Sequence, residues 1–196
     1  GVDVKQGLTH PANIWAKRDP GEMLGPKSNR VWKPVVCAVQ GMAAGGAFYW
    51  ITESDIVICS EEATFFDPHV SYGMVAALEP IGLIHRIGAS QALRIALMGL
   101  DERVTAQTAL QIGLVTEVVP AAELDAKTDW LVQRIVDKSP TAIRRGKYAM
   151  RAMAAMSFDQ GIAYTESQIA LLALTEDAKE GLAAFNEKRK PVWTGR

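Results

Sequence analysis

Within 66-FDPHVSYGMVAALEP-80, Asp67, His69 and Glu79 are the residues that can take up or release a proton during a reaction. Histidine, with an ordinary pKa of about 6.5, suits acid–base work at neutral pH. Glu79 reads equally as a catalytic carboxylate and as an acidic residue favoured at a helix start. Asp67 either holds His69 in one tautomer or simply ends a strand. If the segment is extended, Asp67, His69 and Ser71 share one strand face. Neighbours on one strand make a poor nucleophile–base–acid triad, and no G-x-S-x-G turn is present, so serine hydrolysis is not supported. Tyr49 is a further proton carrier, or one of three packed aromatics with Phe48 and Trp50. His85, beside Arg86, reads as a surface residue, and His10 lies in an irregular loop without a motif. No His/Cys spacing or carboxylate cluster supports a metal site.

A second feature lies upstream, in 40-QGMAAGGAFYW-50. Glycine and alanine fill every position from Gly41 to Ala47 except Met42. Such a loop between a strand and a helix lets a ligand reach main-chain N–H groups, where the helix dipole favours negative charge. A phosphate or a developing oxyanion would fit. The Gly-Lys-Ser/Thr of a P-loop is absent, and 41-GMAAGG-46 lacks the second glycine of a dinucleotide fingerprint. Tight packing of strand against helix is the other explanation for small residues here.

These residues need elements to position them. Residues 35–39 and 55–60 are β-branched and apolar, as buried strands are, and 63–67 is a third short strand. Helices are expected over 47–54, 79–88, 90–99 and 105–113, with Ser90 and Thr105 as N-caps and Gly99 and Gly113 as stops. A strand over 114–119 follows, then helices over 122–138, 140–155, 158–174 and 176–188. Ser139-Pro140 and the capping box Ser157/Gln160 mark two of their starts. Residues 12–18 form a short helix in an otherwise irregular opening. Strands alternating with helices imply an α/β core over 1–120, followed by a helical region over 121–196.

Bulk properties narrow the function classes. The 196 residues are 48% hydrophobic and 22% charged, with a net charge of −1. That is a globular chain with no basic surface for nucleic acid. No apolar run is long enough to span a bilayer, and no stretch reads as a signal peptide. Cys37 and Cys59 fall in apolar strands, which indicates buried thiols in a reducing, cytoplasmic compartment.

Several motifs together resemble the crotonase superfamily, the enoyl-CoA hydratase/isomerase family. They are the run 33–73, the passage 97-LMGLDERVTAQTALQIGLVTEVVP-120, the ending 175-TEDAKEGLAAFNEKRKPVWTGR-196, and 1-GVDVK-5, which is similar to a G-A-D-hydrophobic-K motif. The resemblance implies a ββα spiral core, with several strands ahead of 1-GVDVK-5, and a C-terminal helical region that forms trimers or dimers of trimers. It implies an acyl-CoA substrate and no separate cofactor or metal. The thioester carbonyl would lie between two backbone N–H groups, those of Gly46 and Val2, which stabilise an enolate. Asp3, Lys5, Gly45, Phe185 and Lys188 would contact the CoA ester, with Phe185 lining the acyl tunnel and Lys190 a further basic candidate.

The pattern departs from the family at its centre. Hydratases of this family use two glutamates. Here those positions hold Tyr49 and His69. The resemblance therefore leaves three readings open: a His69-based enzyme, isomerase-type chemistry on Glu79, and an acyl-CoA-binding paralogue without turnover.

Overall fold

The computed structural model describes residues 20–76 and 78–196. The motif carrying Val2, Asp3 and Lys5, the helix expected over 12–18, and His10 lie outside the described residues. Contacts divide the chain into two compact units. Of the described residues, the first holds 20–31 and Val35–Asp129, and the second holds Trp32–Pro34 and Trp130–Arg196.

The first four described strands of the first unit alternate between two sheets. Strands β1 (Val36–Val39), β3 (Ile56–Ser60) and β6 (Glu117–Val119) form one sheet in the order β1-β3-β6; β2 (Met42–Ala44), β4 (Thr64–Phe66) and β5 (Val104–Thr105) form the other in the order β2-β4-β5. Val36 pairs in parallel with Ile56 and Met42 with Thr64, so each circuit of the chain adds a strand to one sheet and then to the other. Helix α1 (Ala47–Glu53) closes the first circuit. The near-continuous apolar runs VCAV and IVICS are what parallel strands covered on both faces require.

One expectation is corrected here. The Gly/Ala segment is not all loop: Met42–Ala44 is a strand, and only Gly45-Gly46 turns the chain into α1. The small side chains fit a short strand, with Ala43 buried between neighbours.

Phe48 and Ile51 of α1 pack with Val57, Cys59, Phe65 and Leu83 into a single apolar core. Phe48, Val57, Cys59, Phe65 and Leu83 are fully buried. Each large side chain in it contributes ~1.5–3 kcal/mol by leaving water. Cys59 pairs across from Val39 inside this core, and burial pushes its thiol up to about 11. Burial likewise raises half-buried Cys37, although Arg86 and Ser54 pull the other way. Both are inert packing thiols.

Helix α2 (Leu78–Ile87) is held on α1 by two devices. Gly82 leaves room for Thr52, where a Cβ would collide with the side chain. Arg86 donates to the carbonyls of Ile51 and Ser54 at the end of α1, at 2.8 and 3.1 Å, and to that of Leu114 at 3.0 Å. The two at the end of α1 have no partner within the helix, so a half-buried guanidinium is an effective cap.

Helices α3 (Ala89–Met98) and α4 (Ala106–Gln111) complete the unit. Thr105 caps α4 as expected, accepting from the Thr108 N–H. Ser90 does not cap α3. Gly88 holds that place at φ 80°, a backbone conformation that a side chain would strain, and Ser90 falls inside the first turn.

Helix α5 (Leu124–Val136) leads into the second unit, which contains α6 (Pro140–Met153), α7 (Phe158–Ala173) and α8 (Glu176–Asn186). Ser139 caps α6, and the Ser157/Gln160 capping box starts α7. Buried Asp177 accepts from the Ser139 and Thr141 hydroxyls and from the N–H groups of Thr194 and Gly195, which fastens the C-terminal tail. Glu180 does the same with a bidentate Arg189 and the Val192 N–H, and is drawn down to about 2, chiefly by Arg189.

Candidate active site

The turn after β2 is constrained by its neighbours. The Gly45 N–H donates to the Phe66 carbonyl at 3.2 Å, tying the turn to the end of β4. Gly45 has φ +49°, and a Cβ there would lie 3.3 Å from Cε1 of His69 and 3.5 Å from Cδ of Pro68. The missing side chain at position 45 therefore makes room for the imidazole as well as permitting a left-handed turn. Gly46 has ordinary helical dihedrals, with φ −55° and ψ −14°. A Cβ there would meet only Tyr49, at 4.0 Å. The Phe48 and Tyr49 N–H groups donate back to the Gly45 and Gly46 carbonyls. Among the described residues, the Gly46 N–H has no partner.

Beyond β4 the chain does not continue as a strand. Pro68 stops the ladder, and His69–Tyr72 form a 3₁₀ turn closed by Gly73. The expectation that Asp67, His69 and Ser71 share a strand face is corrected accordingly. Asp67 instead folds its carboxylate over the turn. Its Oδ1 accepts the His69 N–H at 3.0 Å and lies 2.5 Å from Nδ1 of the same residue. An aspartate accepting from the residue two further on is the usual Asx turn, which the D-P-H spelling already favours. Ser71 is engaged elsewhere, its hydroxyl accepting from the Leu100 N–H at 2.9 Å.

Glu79 enters from the first turn of α2, where the dipole favours a carboxylate. It is buried, and its Oε1 lies 3.8 Å from Nε2 of His69. His69 is thus flanked by Asp67 on one ring nitrogen and by Glu79 on the other. Asp67, His69 and Glu79 bring ligand-type atoms within 4.8 Å of one another.

The other expected residues divide as follows. Tyr49 is buried. Its ring edge faces Gly46, and its phenol end lies against Gly21 of the Pro20–Met23 turn, so the ring packs between two segments. Phe185 and Lys188 belong to the second unit, Phe185 being highly exposed on α8. Arg103, which carried no expectation, sits 3.4 Å above the Phe66 ring and supports the end of β4.

Two sheets fed by one spiralling chain, with a glycine turn beside acid–base groups, define a protein of the crotonase fold. A family model described as enoyl-CoA hydratase/isomerase matches residues 1–196. The 2,3-dehydroadipyl-CoA hydratase of Escherichia coli is 33% identical over 192 residues, covering 94% of this chain and 74% of that protein. The carnitinyl-CoA dehydratase of Salmonella typhi is 34% identical over 168 residues, covering 84% of this chain and 64% of the relative. A crystal structure of an enoyl-CoA hydratase/isomerase from Mycobacterium paratuberculosis superposes with a TM-score of 0.87 at 37% identity, covering 95% of this chain and 72% of that one. One of an enoyl-CoA hydratase from Bacillus anthracis gives 0.81 at 28%, covering 85% and 64%. The chain belongs to the enoyl-CoA hydratase/isomerase family.

Proposed function

We propose that this chain processes acyl-CoA thioesters, stabilising an enolate with the Gly46 N–H and moving the proton with His69. The observation that carries this reading is the Gly46 N–H, without a partner among the described residues, at a turn whose other glycine lies against the His69 ring. A donor fixed in place before the reaction stabilises the developing oxyanion without reorganisation. The Val2 N–H completes the hole. Asp3, Lys5, Gly45, Phe185 and Lys188 hold the CoA ester, and no separate cofactor takes part. The similarity to proteins named as a CoA-ester hydratase and dehydratase favours water addition or removal as the reaction class.

The chain acts as a homotrimer or a dimer of trimers in the cytoplasm. The exposed apolar side chains of Phe158, Ile162, Ile169 and Leu174 on or just after α7 support assembly. The free thiols of Cys37 and Cys59 support a reducing compartment. Among the described residues, no helix is long and apolar enough to cross a membrane. Isomerase-type chemistry on Glu79 is the second reading, favoured by the burial of that carboxylate beside His69.

Calorimetric titration with acetoacetyl-CoA, whose enolate mimics the charged intermediate, tests the binding claim. Saturable binding that weakens on blocking the turn with Gly46→Pro is expected. Absence of binding would overturn it. Hydration, dehydration and isomerisation assays on several acyl-CoA esters then separate an enzyme from a binding paralogue.

A further inference from the structure

We propose that Asp67, His69 and Glu79 form a proton relay in which Asp67 positions the imidazole and the His69/Glu79 pair replaces two catalytic glutamates. The inference rests on the reading of His69 as a proton carrier and goes beyond it in naming the positioning residue and the second acid–base group.

The geometry fixes the division of labour. Asp67 is completely buried, and its Oδ1 binds both the backbone N–H and Nδ1 of His69. Its Oδ2 has no partner among the described residues, so the whole of its hydrogen bonding goes to His69. A carboxylate accepts only, so Nδ1 carries the hydrogen and Nε2 keeps its lone pair. That lone pair faces Glu79. At 3.8 Å the two are too far apart for a direct hydrogen bond, but one water oxygen can lie about 2.8 Å from both.

In the direction of hydration, Nε2 takes a proton from that water as its oxygen bonds to the β-carbon. The π electrons of the double bond move to the thioester oxygen. His69 then passes that proton across a bridging water to the Glu79 carboxylate, and the Glu79 carboxyl delivers it to the α-carbon as the carbonyl re-forms. Both groups are then back in their starting states. The net change is addition of H and OH across the double bond, with no oxidant or reductant. The pair carries an extra proton only while the enolate exists. This is how a histidine and a glutamate can do the work of two carboxylates without an added charge.

The test is nitrogen-15 NMR of the full-length chain labelled at histidine, recorded at about pH 8, above the ordinary histidine value. His69 is assigned by the loss of its signals in His69→Gln. The expected spectrum shows a protonated Nδ1 and a bare Nε2. Asp67→Asn, whose amide donates to Nδ1, is expected to move the hydrogen to Nε2 and to reduce kcat by about 10²–10⁴-fold with KM within twofold. Glu79→Gln should keep the tautomer and lose hydration to a similar extent. A bare Nδ1 in the wild type, or an Asp67→Asn enzyme with full kcat, overturns the relay. The wild-type spectrum decides the tautomer even where Asp67→Asn fails to fold. The wrong tautomer in an active enzyme overturns the relay alone, whereas the right tautomer in a chain that turns over no acyl-CoA ester overturns the functional reading.

Discussion

At the residue scale, the site turns on which side chain moves the proton. His69 stands against Gly45 and next in the chain to a proline that ends β4, while Glu79 reaches the same ring from α2. His69→Gln is expected to lower kcat by about two to four orders of magnitude, the usual contribution of a positioned acid–base group, with acetoacetyl-CoA affinity unchanged. Rapid-quench turnover and calorimetry on the same preparation check both halves. Full activity in His69→Gln together with its loss in Glu79→Gln would move the chemistry to the glutamate alone. His69 and Glu79 were both legible as candidates from residue type. The Asp67 contact was only partly so, because extended backbone would have placed its carboxylate beside His69 on a strand face rather than over a 3₁₀ turn.

At the element scale, two ends of α8 carry consequences. Its C-terminus is a Schellman motif: the Lys188 N–H donates to the Phe185 carbonyl at 3.3 Å and the Arg189 N–H to that of Ala184 at 3.0 Å. The left-handed position usually held by glycine is Lys188, at φ +54°. Lys188→Gly should therefore stabilise the chain by about 1 kcal/mol, the order of the left-handed penalty. If Lys188 holds CoA phosphate, the same change weakens acyl-CoA binding severalfold. Chemical denaturation and titration on one sample show whether stability and affinity move in opposite directions, and unchanged affinity would remove Lys188 from the CoA site.

Its N-terminus holds Asp177. Burial alone would raise this carboxyl, but the Thr194, Thr141, Gly195 and Ser139 donors outweigh it and hold the group well below the usual carboxylate range. The folded chain thus binds fewer protons here than the unfolded one. The stabilisation is complete above the ordinary aspartate value of about 4 and is lost as pH falls toward the depressed one. Asp177→Asn should destabilise the chain by about 2–4 kcal/mol at neutral pH, the cost of leaving several buried donors poorly paired. It should also flatten the acid limb of a Tm-against-pH curve. A Tm that tracks wild type from neutral pH down to about pH 3, below the ordinary aspartate value, would mean that the tail is held by other contacts.

At the scale of the whole molecule, assembly is the open quantity. Ile169 and Leu174 are 61% and 78% exposed, and Phe158 is 76% exposed, on or beside one helix. Phe158 and Ile169 fall on one side of that helix at helical spacing, and exposed apolar side chains so placed mark interaction surfaces. Sedimentation equilibrium is expected to give the mass of three or six chains. Ile169→Lys should shift it toward one by burying an unpaired charge in the interface. A monomeric wild type would refute the assembly.

The linear sequence by itself determined the α/β class, most helix limits and which residue types could carry a proton. These follow from short-range rules: apolar period, caps such as Thr105, Ser139 and Ser157, and stops such as Gly113. Tertiary structure alone decided that Met42–Ala44 pairs with Thr64–Phe66, since a three-residue strand has no period of its own and exists only through its partner. It alone made Gly45 the seat of the His69 ring, and it alone brought Glu79 within 3.8 Å of the second ring nitrogen. The last contact depends on Gly82 and Arg86 fixing α2 on α1, and packing between helices is set by shape rather than by local sequence.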